Sequence, residues 1–179
     1  MSYDDTLGLV YLPVGNATPD FWGGHRSEAA NEYSSSIVAL NIETGREAWH
    51  FQTTHHDLWD YDVASQPVLY DAPDGNGGTI PAVYQPTKRG HIFALNRETG
   101  EPILPVKEVP APQDGGLDGE NLSLTQPVSA LSFNPPKLEG KDMWGASLLD
   151  QLVCRIKLKQ YNYEGRYTPP SVDGTIVYP

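Results

Sequence analysis

The chain has 179 residues and a formal net charge of −11, and its length suits a single domain. Its 12 basic residues form no stripe that could release counterions from phosphates, so nucleic acid is disfavoured as a partner. No apolar run approaches the roughly 20 residues of a membrane span, and no signal peptide opens the chain. Only 39% of the residues are hydrophobic, whereas 16 prolines and 17 glycines favour many turns joining short strands.

Short apolar runs bounded by turn residues predict strands along the first half of the chain. The predicted strands cover residues 7–13, 36–41, 46–52, 66–71, 79–85 and 91–96. Residues 15–24 read as a polar loop, and residues 28–36 as a short helical turn. Gly45 stands where a tight hairpin needs a positive φ. A final run at 174–178 is a candidate strand that opens another unit of the same kind.

Two of these hairpin turns repeat one sequence. Residues 39–45 read ALNIETG and residues 94–100 read ALNRETG, so six of seven positions agree. Two unrelated hairpins with a common turn are the alternative, but so many identities favour a true repeat with a period of about 55 residues. Short strands and glycine turns repeated at this period predict an all-β, propeller-type array.

The pattern changes in the second half. Residues 105–127 are rich in Pro, Gly and Asp, and we expect a long loop excursion over residues 105–141. Trp144, Leu148 and Leu152 then recur every four residues, which predicts one inserted helix near 143–159, in a segment 142–160. Asp142 is the expected N-cap, and the apolar stripe of this helix is expected to join the core.

Residues 49–62, WHFQTTHHDLWDYD, hold three Asp, three His and two Trp in fourteen positions. Buried carboxylates and imidazoles must be paired, so such a run is either a solvated loop or a built site. The tryptophans favour the site, because they bury large areas. Taken alone, Asp60 is better interpreted as a solvated residue. The adjacent His55 and His56 cannot easily share one metal ion, since neighbours on a strand point to opposite faces; we expect one to line a pocket and the other to pack.

A family resemblance becomes visible once these motifs are set side by side. The pattern from Ala39 to Trp49 resembles the tryptophan-docking motif of eight-bladed quinoprotein dehydrogenases, in which the Trp packs between neighbouring blades. The second copy has Leu104 where the Trp is expected. The runs at 15–24, 51–60, 86–93, 142–146 and 150–155 resemble the membrane-bound, pyrroloquinoline-quinone (PQQ)-dependent glucose dehydrogenases, and also their quinate and shikimate dehydrogenase relatives.

The resemblance implies roles for individual residues. Asp60 matches the catalytic base, and Lys88 matches the residue that contacts the quinone oxygens. Asn16 and Thr18 match a loop near cofactor and metal, so Asn16 and Asp60 are expected to bind Ca²⁺ or Mg²⁺, and Thr18, His55 and His56 to line the cofactor site; a turn-forming role is the alternative for Asn16. Arg89 is treated as a neighbour, with a surface role as its alternative. Trp22, Trp59 and Trp144 are candidates to stack on a flat cofactor, each with a core position as the alternative.

The family's fold and activity follow as expectations. The chain is expected to be a fragment, roughly three blades of an eight-bladed β-propeller, and inactive alone because much of the site lies elsewhere. The whole protein would oxidise a sugar or cyclitol hydroxyl and pass electrons to ubiquinone on the periplasmic side of the bacterial inner membrane. Membrane contact would come only through parts absent from this segment, which is itself expected to be soluble. The alternatives are a quinate or shikimate dehydrogenase fragment, or a non-catalytic propeller scaffold. The run from His55 to Asp60, together with Lys88, argues against the scaffold.

Overall fold

The computed structural model describes residues 1–178, which form mainly short antiparallel strands. In chain order the elements are β1 (Ser2–Asp4), β2 (Leu9–Val14), α1 (Glu28–Tyr33), β3 (Ser36–Asn41), β4 (Glu47–Gln52), β5 (Val68–Pro73), β6 (Thr79–Pro86), β7 (Ile92–Asn96), β8 (Val106–Pro110), β9 (Thr125–Ser129) and α2 (Leu148–Gln160). The six strands predicted in the first half are all present, within two residues at their ends, as β2 to β7. Within residues 1–178, no helix is both long and apolar enough to cross a bilayer.

The strands form three separate sheets, each a simple meander. The first has the order β1-β2-β3-β4, the second β5-β6-β7, and the third pairs β8 with β9. All of these strand pairs are antiparallel. None of the sheets in residues 1–178 closes on itself, and this mainly β architecture with few helices agrees with the predicted partial propeller.

The core lies between the first two sheets. Alternation along β2 and β3 turns Tyr11 and Ala39, which are direct neighbours across the ladder, to the same face. This face meets Val83, Phe93 and Leu95 of the second sheet in one buried cluster. Burying each large apolar side chain contributes about 1.5–3 kcal/mol, so this contact joins the two sheets as neighbouring blades would be joined.

Both copies of the repeated turn have the same hydrogen bonds. The side-chain oxygen of Asn41 accepts the amides two and three residues later, at 3.1 and 2.9 Å. Asn96 does the same at 2.8 and 3.4 Å. Gly45 and Gly100 end the two turns with φ of +65° and +77°, a conformation that suits glycine. The sequence repeat is therefore a structural repeat.

Trp49 connects the first repeat to the second. It is buried in the core between the sheets, and its indole Nε1 donates to the main-chain oxygen of Arg97 at 3.2 Å. The Tyr11 hydroxyl donates to the same oxygen at 2.8 Å. The indole lies so close to Gly100 that a Cβ there would be 2.7 Å from ring atoms. Trp49 therefore docks on the turn of the neighbouring unit, as the motif implies.

Two expectations about the later chain need correction. The segment 105–141 is not loop throughout, because β8 and β9 pair within it from Val106↔Ser129 to Pro110↔Thr125. Residues 174–178 form no extended strand; Thr175 makes only a single parallel bridge with Asn162. The proline and glycine content of the segment 105–141 predicted a loop, although the segment contains the paired strands β8 and β9.

The helix α2 starts later than predicted and does not enter the core. Its N-cap is Ser147, whose hydroxyl accepts the amide of Asp150 at 3.2 Å, whereas Asp142 belongs to a separate 3-10 turn, Gly140–Asp142. A Cβ at Gly145 would lie 2.2 Å from the Gln151 amide, so the chain folds back there rather than continuing a helix. Leu148 is 85% exposed, and the described part of α2 contains no buried residue. The predicted helix is present from Leu148 onward, but its apolar stripe is exposed and is not covered by the rest of residues 1–178.

Candidate active site

A cavity of about 570 Å³ brings the predicted catalytic pair together. Its lining residues are Phe21, Trp59, Asp60, Tyr61, Lys88, Pro170, Ser171, Thr175 and Val177. Aromatic and aliphatic groups form most of this surface, and Asp60 and Lys88 bring opposite charges to it. Mostly apolar concave sites with a few convergent polar groups are typical of small-molecule binding.

Lys88 contacts two carboxylates. Its Nζ donates to Asp60 Oδ2 at 2.7 Å and to Asp62 Oδ2 at 3.4 Å. The hydrogen bond to Asp60 is the main reason why the pKa of Lys88 is raised. Burial acts to raise the pKa of Asp62, but the Asn16 amide, Asp60 and Lys88 together lower it. The three side chains are 32–44% exposed, so the ion pairs add at most about 1 kcal/mol to folding; they chiefly fix a cation between two carboxylates.

The turn between β6 and β7 places Lys88. Gly90 N donates to Thr87 O at 3.0 Å, and Thr87 N donates to His91 O at 2.9 Å, which closes the turn. The Lys88 amide donates to Asp62 O at 3.1 Å. Two segments distant in sequence are thus joined through both main chain and side chain.

The backbone of Asp60 is left-handed, with φ of +60°. This conformation costs a residue other than glycine roughly 1–2 kcal/mol, and such outliers are concentrated at functional sites. The flanking rings are fixed by buried hydrogen bonds: Trp59 Nε1 donates to Thr168 O and the Tyr61 hydroxyl to Arg166 O, both at 2.7 Å. The two rings stack with centroids 5.8 Å apart. Asp60 therefore projects from a rigid aromatic wall.

Neither Asn16 nor Thr18 is among the residues that line the cavity, although Asn16 is hydrogen-bonded to Asp62. The amide of Asn16 donates to Asp62 Oδ1 at 2.8 Å, and its side-chain oxygen accepts the Ser34 hydroxyl at 3.1 Å. The adjacent Gly15 is required, because a Cβ there would lie 2.8 Å from Asp62 Oδ1. Thr18 is exposed and is not among the lining residues.

His55 and His56 face away from the cavity. His55 Nδ1 lies 2.8 Å from Gln52 Oε1, and its Nε2 lies 3.2 Å from Glu108 Oε1. His56 Nε2 lies 2.5 Å from Glu120 Oε1, and its φ of +42° is left-handed. Neither ring is among the lining residues, so the expectation that one of them lines this pocket is not met here. The His55 ring is held instead by residues of β4 and β8, and the His56 ring by Asn31 of α1 and by Glu120.

Arg89 is not a surface residue, contrary to the alternative weighed for it. Its side chain is fully buried. The guanidinium donates to the Tyr167 hydroxyl and to the main-chain oxygens of Thr53 and Pro127. Tyr167 in turn packs against Trp59. Arg89 thus ties three segments together behind the site, while its neighbour Lys88 points into it.

The residues fit a divalent metal in part. Asp60 and the Asn16 side chain offer hard oxygens, which Ca²⁺ and Mg²⁺ prefer. Asp62, which is bonded to the Asn16 amide and to Lys88, adds a further carboxylate. Within residues 1–178 no three His, Cys, Asp or Glu side chains come close enough to form a metal site on their own. A complete metal site at this position would therefore need ligands besides these side chains.

The aromatic lining was only partly predictable. Trp59 lines the cavity, whereas Trp22 and Trp144 do not; Trp144 is 79% exposed. The sequence motifs did not predict that Phe21, Tyr61 and residues of the segment 170–177 line the cavity. A signal was available for Tyr61 alone, because it lies next to Asp60 within the polar stretch.

Meander sheets joined by tryptophan docking, with an acid–lysine pair in a cavity between loops, define a β-propeller with a built small-molecule site. The model of the family "PQQ: Glucose/ethanol/alcohol dehydrogenase, beta-propeller domain" matches residues 1–179. The chain belongs to this family, which confirms the resemblance drawn from its motifs.

Individual relatives agree with this assignment. The chain is 52% identical over 184 residues to quinoprotein glucose dehydrogenase A of Acinetobacter calcoaceticus, covering 100% of this chain and 23% of that protein. It is 42% identical over 181 residues to the quinate/shikimate dehydrogenase (quinone) of Acinetobacter baylyi, covering 100% of this chain and 22% of that protein. The structure of the quinohemoprotein alcohol dehydrogenase ADHIIG from Pseudomonas putida superposes with a TM-score of 0.50 and 33% identity, over 62% of this chain and 17% of that one. The chain thus spans less than a quarter of the length of these proteins.

Proposed function

We propose that the chain is the part of a PQQ-dependent dehydrogenase that carries the catalytic base. The whole protein would oxidise a hydroxyl of a glucose-type sugar to the lactone or ketone and pass the electrons to a quinone pool. The observation that carries this proposal is the 2.7 Å contact between Asp60 and Lys88 at the wall of an aromatic cavity. A scaffold module would need no such pair.

The residues of the site have separate tasks in this proposal. Asp60 accepts the proton of the substrate hydroxyl, which a positioned carboxylate can do at neutral pH. When bound, PQQ supplies the acceptor for the hydride from the substrate carbon. Lys88 provides positive charge where negative charge develops on the cofactor's oxygens. Trp59 and Tyr61, the sequence neighbours of Asp60, fix its position because their own side chains are hydrogen-bonded to Thr168 and Arg166.

The cavity also suits the cofactor chemically. PQQ is flat, aromatic and anionic, and the lining offers the aromatic side chains of Phe21, Trp59 and Tyr61 together with the ammonium of Lys88. Asn16 and Asp60 would hold Ca²⁺ or Mg²⁺ with oxygens from the cofactor and from other parts of the protein. Roles for Thr18, His55 and His56 in this site remain predictions, and their positions outside the lining make them indirect.

The substrate class follows from the relatives. The higher identity is to a protein named glucose dehydrogenase, which favours a sugar; the match to a quinate/shikimate dehydrogenase supports a cyclitol as the second candidate. Ubiquinone as acceptor and a position on the periplasmic side of the inner membrane complete the proposal. Because an arc of blades cannot enclose its substrate, we expect the 179-residue chain alone to be inactive.

Substrate oxidation by the complete protein tests the proposal. The protein that contains this segment is loaded with PQQ and Ca²⁺ or Mg²⁺, and dye reduction is measured with D-glucose, quinate and shikimate. We expect turnover that requires both the quinone and the metal and is fastest with glucose. Faster turnover of quinate would replace the sugar by the cyclitol, and no turnover with any alcohol would contradict the proposed function. The isolated chain, tested in parallel, is expected to give none.

A further inference from the structure

We propose that Asp57 is a positioning residue that holds the Asp60 carboxylate in the cavity by bridging the main chain around it. The inference rests on the proposed function of Asp60 as the base, and it assigns Asp57 no contact with substrate or cofactor. Asp57 lies three residues before Asp60 in the polar stretch 49–62, and its surroundings give it a task other than that of a base.

The carboxylate of Asp57 is completely buried, and both of its oxygens accept hydrogen bonds. Oδ1 accepts the amide of Trp59 at 2.9 Å. Oδ2 accepts the amide of Tyr61 at 2.9 Å and the hydroxyl of Ser35 at 2.5 Å. The residue is 0% exposed, so it cannot reach a substrate in the cavity and cannot serve as the base.

These hydrogen bonds frame Asp60 from both sides. The amides of the residues before and after it are held by one rigid group, and between them the chain takes the left-handed conformation of Asp60. A carboxylate has two oxygens and can accept both amides at once, whereas a neutral amide side chain has one oxygen to offer. A second anchor fixes Asp57 itself: Arg26 donates from Nη1 to its main-chain oxygen at 2.7 Å.

Burial raises the pKa of Asp57, while the Ser35 hydroxyl and the Trp59 and Tyr61 amides act in the opposite direction. A buried carboxylate with no acidic or basic side chain bonded to it is costly. Its hydrogen bonds go entirely to the segment that presents Asp60 and to the neighbouring β3 end. Asp57 does not belong to the core between the sheets. The energetic cost of burying its carboxylate therefore serves the geometry around Asp60 and not the packing of that core.

The chain contains a matched control. Asp74 accepts the amides of Asn76 and Gly78, at 2.7 and 2.9 Å, with the same spacing of two and four residues. Both amides bind its Oδ1, so Asp74→Asn removes the negative charge but can keep both hydrogen bonds. It lies in the exposed loop between β5 and β6, at the opposite end of β6 from Lys88. A general effect of losing the negative charge would appear in both variants, whereas an effect of releasing one of the two amides around Asp60 would appear only at Asp57.

The test uses the complete protein with Asp57→Asn, Asp60→Asn and Asp74→Asn. For Asp57→Asn we expect kcat to fall by roughly 10- to 100-fold, with KM and the PQQ affinity within about threefold of wild type. Hydrogen exchange of the cofactor-free protein should be faster by about tenfold or more in peptides covering residues 58–62, and unchanged in β3 and β4. Asp74→Asn should keep wild-type kcat.

The outcomes are separable. Wild-type kcat in Asp57→Asn, with Asp60→Asn inactive, would overturn the positioning role and leave the proposed function standing. Wild-type kcat in Asp60→Asn would remove the proposed base and with it this inference. Should Asp57→Asn fail to unfold cooperatively, Ser35→Ala replaces it, because it removes one hydrogen bond from the same carboxylate; a several-fold lower kcat at unchanged KM supports the role, and an unchanged kcat contradicts it.

Discussion

Asp60 acquires its chemical character from three neighbours rather than from its residue type. Lys88 gives it a fixed cation at 2.7 Å, Trp59 provides an apolar side, and Asp62 adds a second negative charge to the same ammonium. A solvated Asp on a surface loop would have none of these. The match to a family motif could predict that Asp60 and Lys88 meet, but the part of Asp62 depends on a main-chain contact between two turns, which no local pattern contains.

His91 illustrates how burial determines a residue's charge. The side chain is fully buried beside Asn134, with Nε2 and Nδ2 3.2 Å apart. Burial, with the charges of Arg89 and Arg166, lowers its pKa to about 4. Folded protein therefore keeps His91 neutral where the unfolded chain is protonated below about pH 6.5.

The pH dependence of stability should reveal this difference. Since the unfolded state binds the extra proton, His91 lowers the free energy of unfolding progressively from pH 6.5 down to about 4, by roughly 3 kcal/mol at most. His91→Gln, which carries no charge, should lose less stability than wild type over this range in urea unfolding at pH 7, 6, 5 and 4.5. The exposed His25→Gln serves as the control. Parallel curves for wild type and His91→Gln would show that His91 is not kept neutral.

At the scale of elements, the docking of Trp49 gives two glycines at the same position of the repeated turn different surroundings. Gly45 and Gly100 end the same turn, both with positive φ. Nothing lies within 4 Å of a Cβ built on Gly45, whereas one on Gly100 meets the Trp49 ring at 2.7 Å. Within the described residues no aromatic ring packs on the turn at Gly45, whereas the turn at Gly100 forms one side of the contact with Trp49.

Alanine at each position measures that interface. Gly45→Ala should cost about 1–2 kcal/mol, for the left-handed backbone alone. Gly100→Ala should cost roughly 1–3 kcal/mol more, because the methyl displaces a buried indole. Urea unfolding of both variants against wild type gives the difference directly. Equal losses would mean that Trp49 does not press on the turn.

The elements also show how far sequence patterns reach. Strands β2 to β7 were predictable because each combines a short apolar run with a strong turn signal, and the repeat identified their arrangement. Strands β8 and β9 were not, because prolines at both ends of β8 and inside β9 hide a pairing that depends on contacts with the rest of the fold. The start of α2 was misplaced by one turn, since Trp144 continues the apolar period across a chain reversal at Gly145 that only the packing determines.

For the whole molecule, the division of the site among segments is the main consequence of the architecture. Residues near positions 21, 60, 88 and 171–175 meet around one cavity although they come from separate loops. Such convergence is what a propeller arc provides, and family motifs could predict it for Asp60 and Lys88. They could not predict the positions of the histidines, because His55 pairs with Glu108 and His56 with Glu120, which lie 53 and 64 residues away in the sequence.

The central claim is that Asp60 is the base and Lys88 its electrostatic partner toward the quinone. The most direct measurement compares Asp60→Asn with wild type in the complete protein, with PQQ affinity and the maximal rate determined separately. The account predicts an affinity within about threefold of wild type and a rate lower by roughly 10²–10⁴, the usual effect of removing a positioned base. A wild-type rate in Asp60→Asn would contradict it.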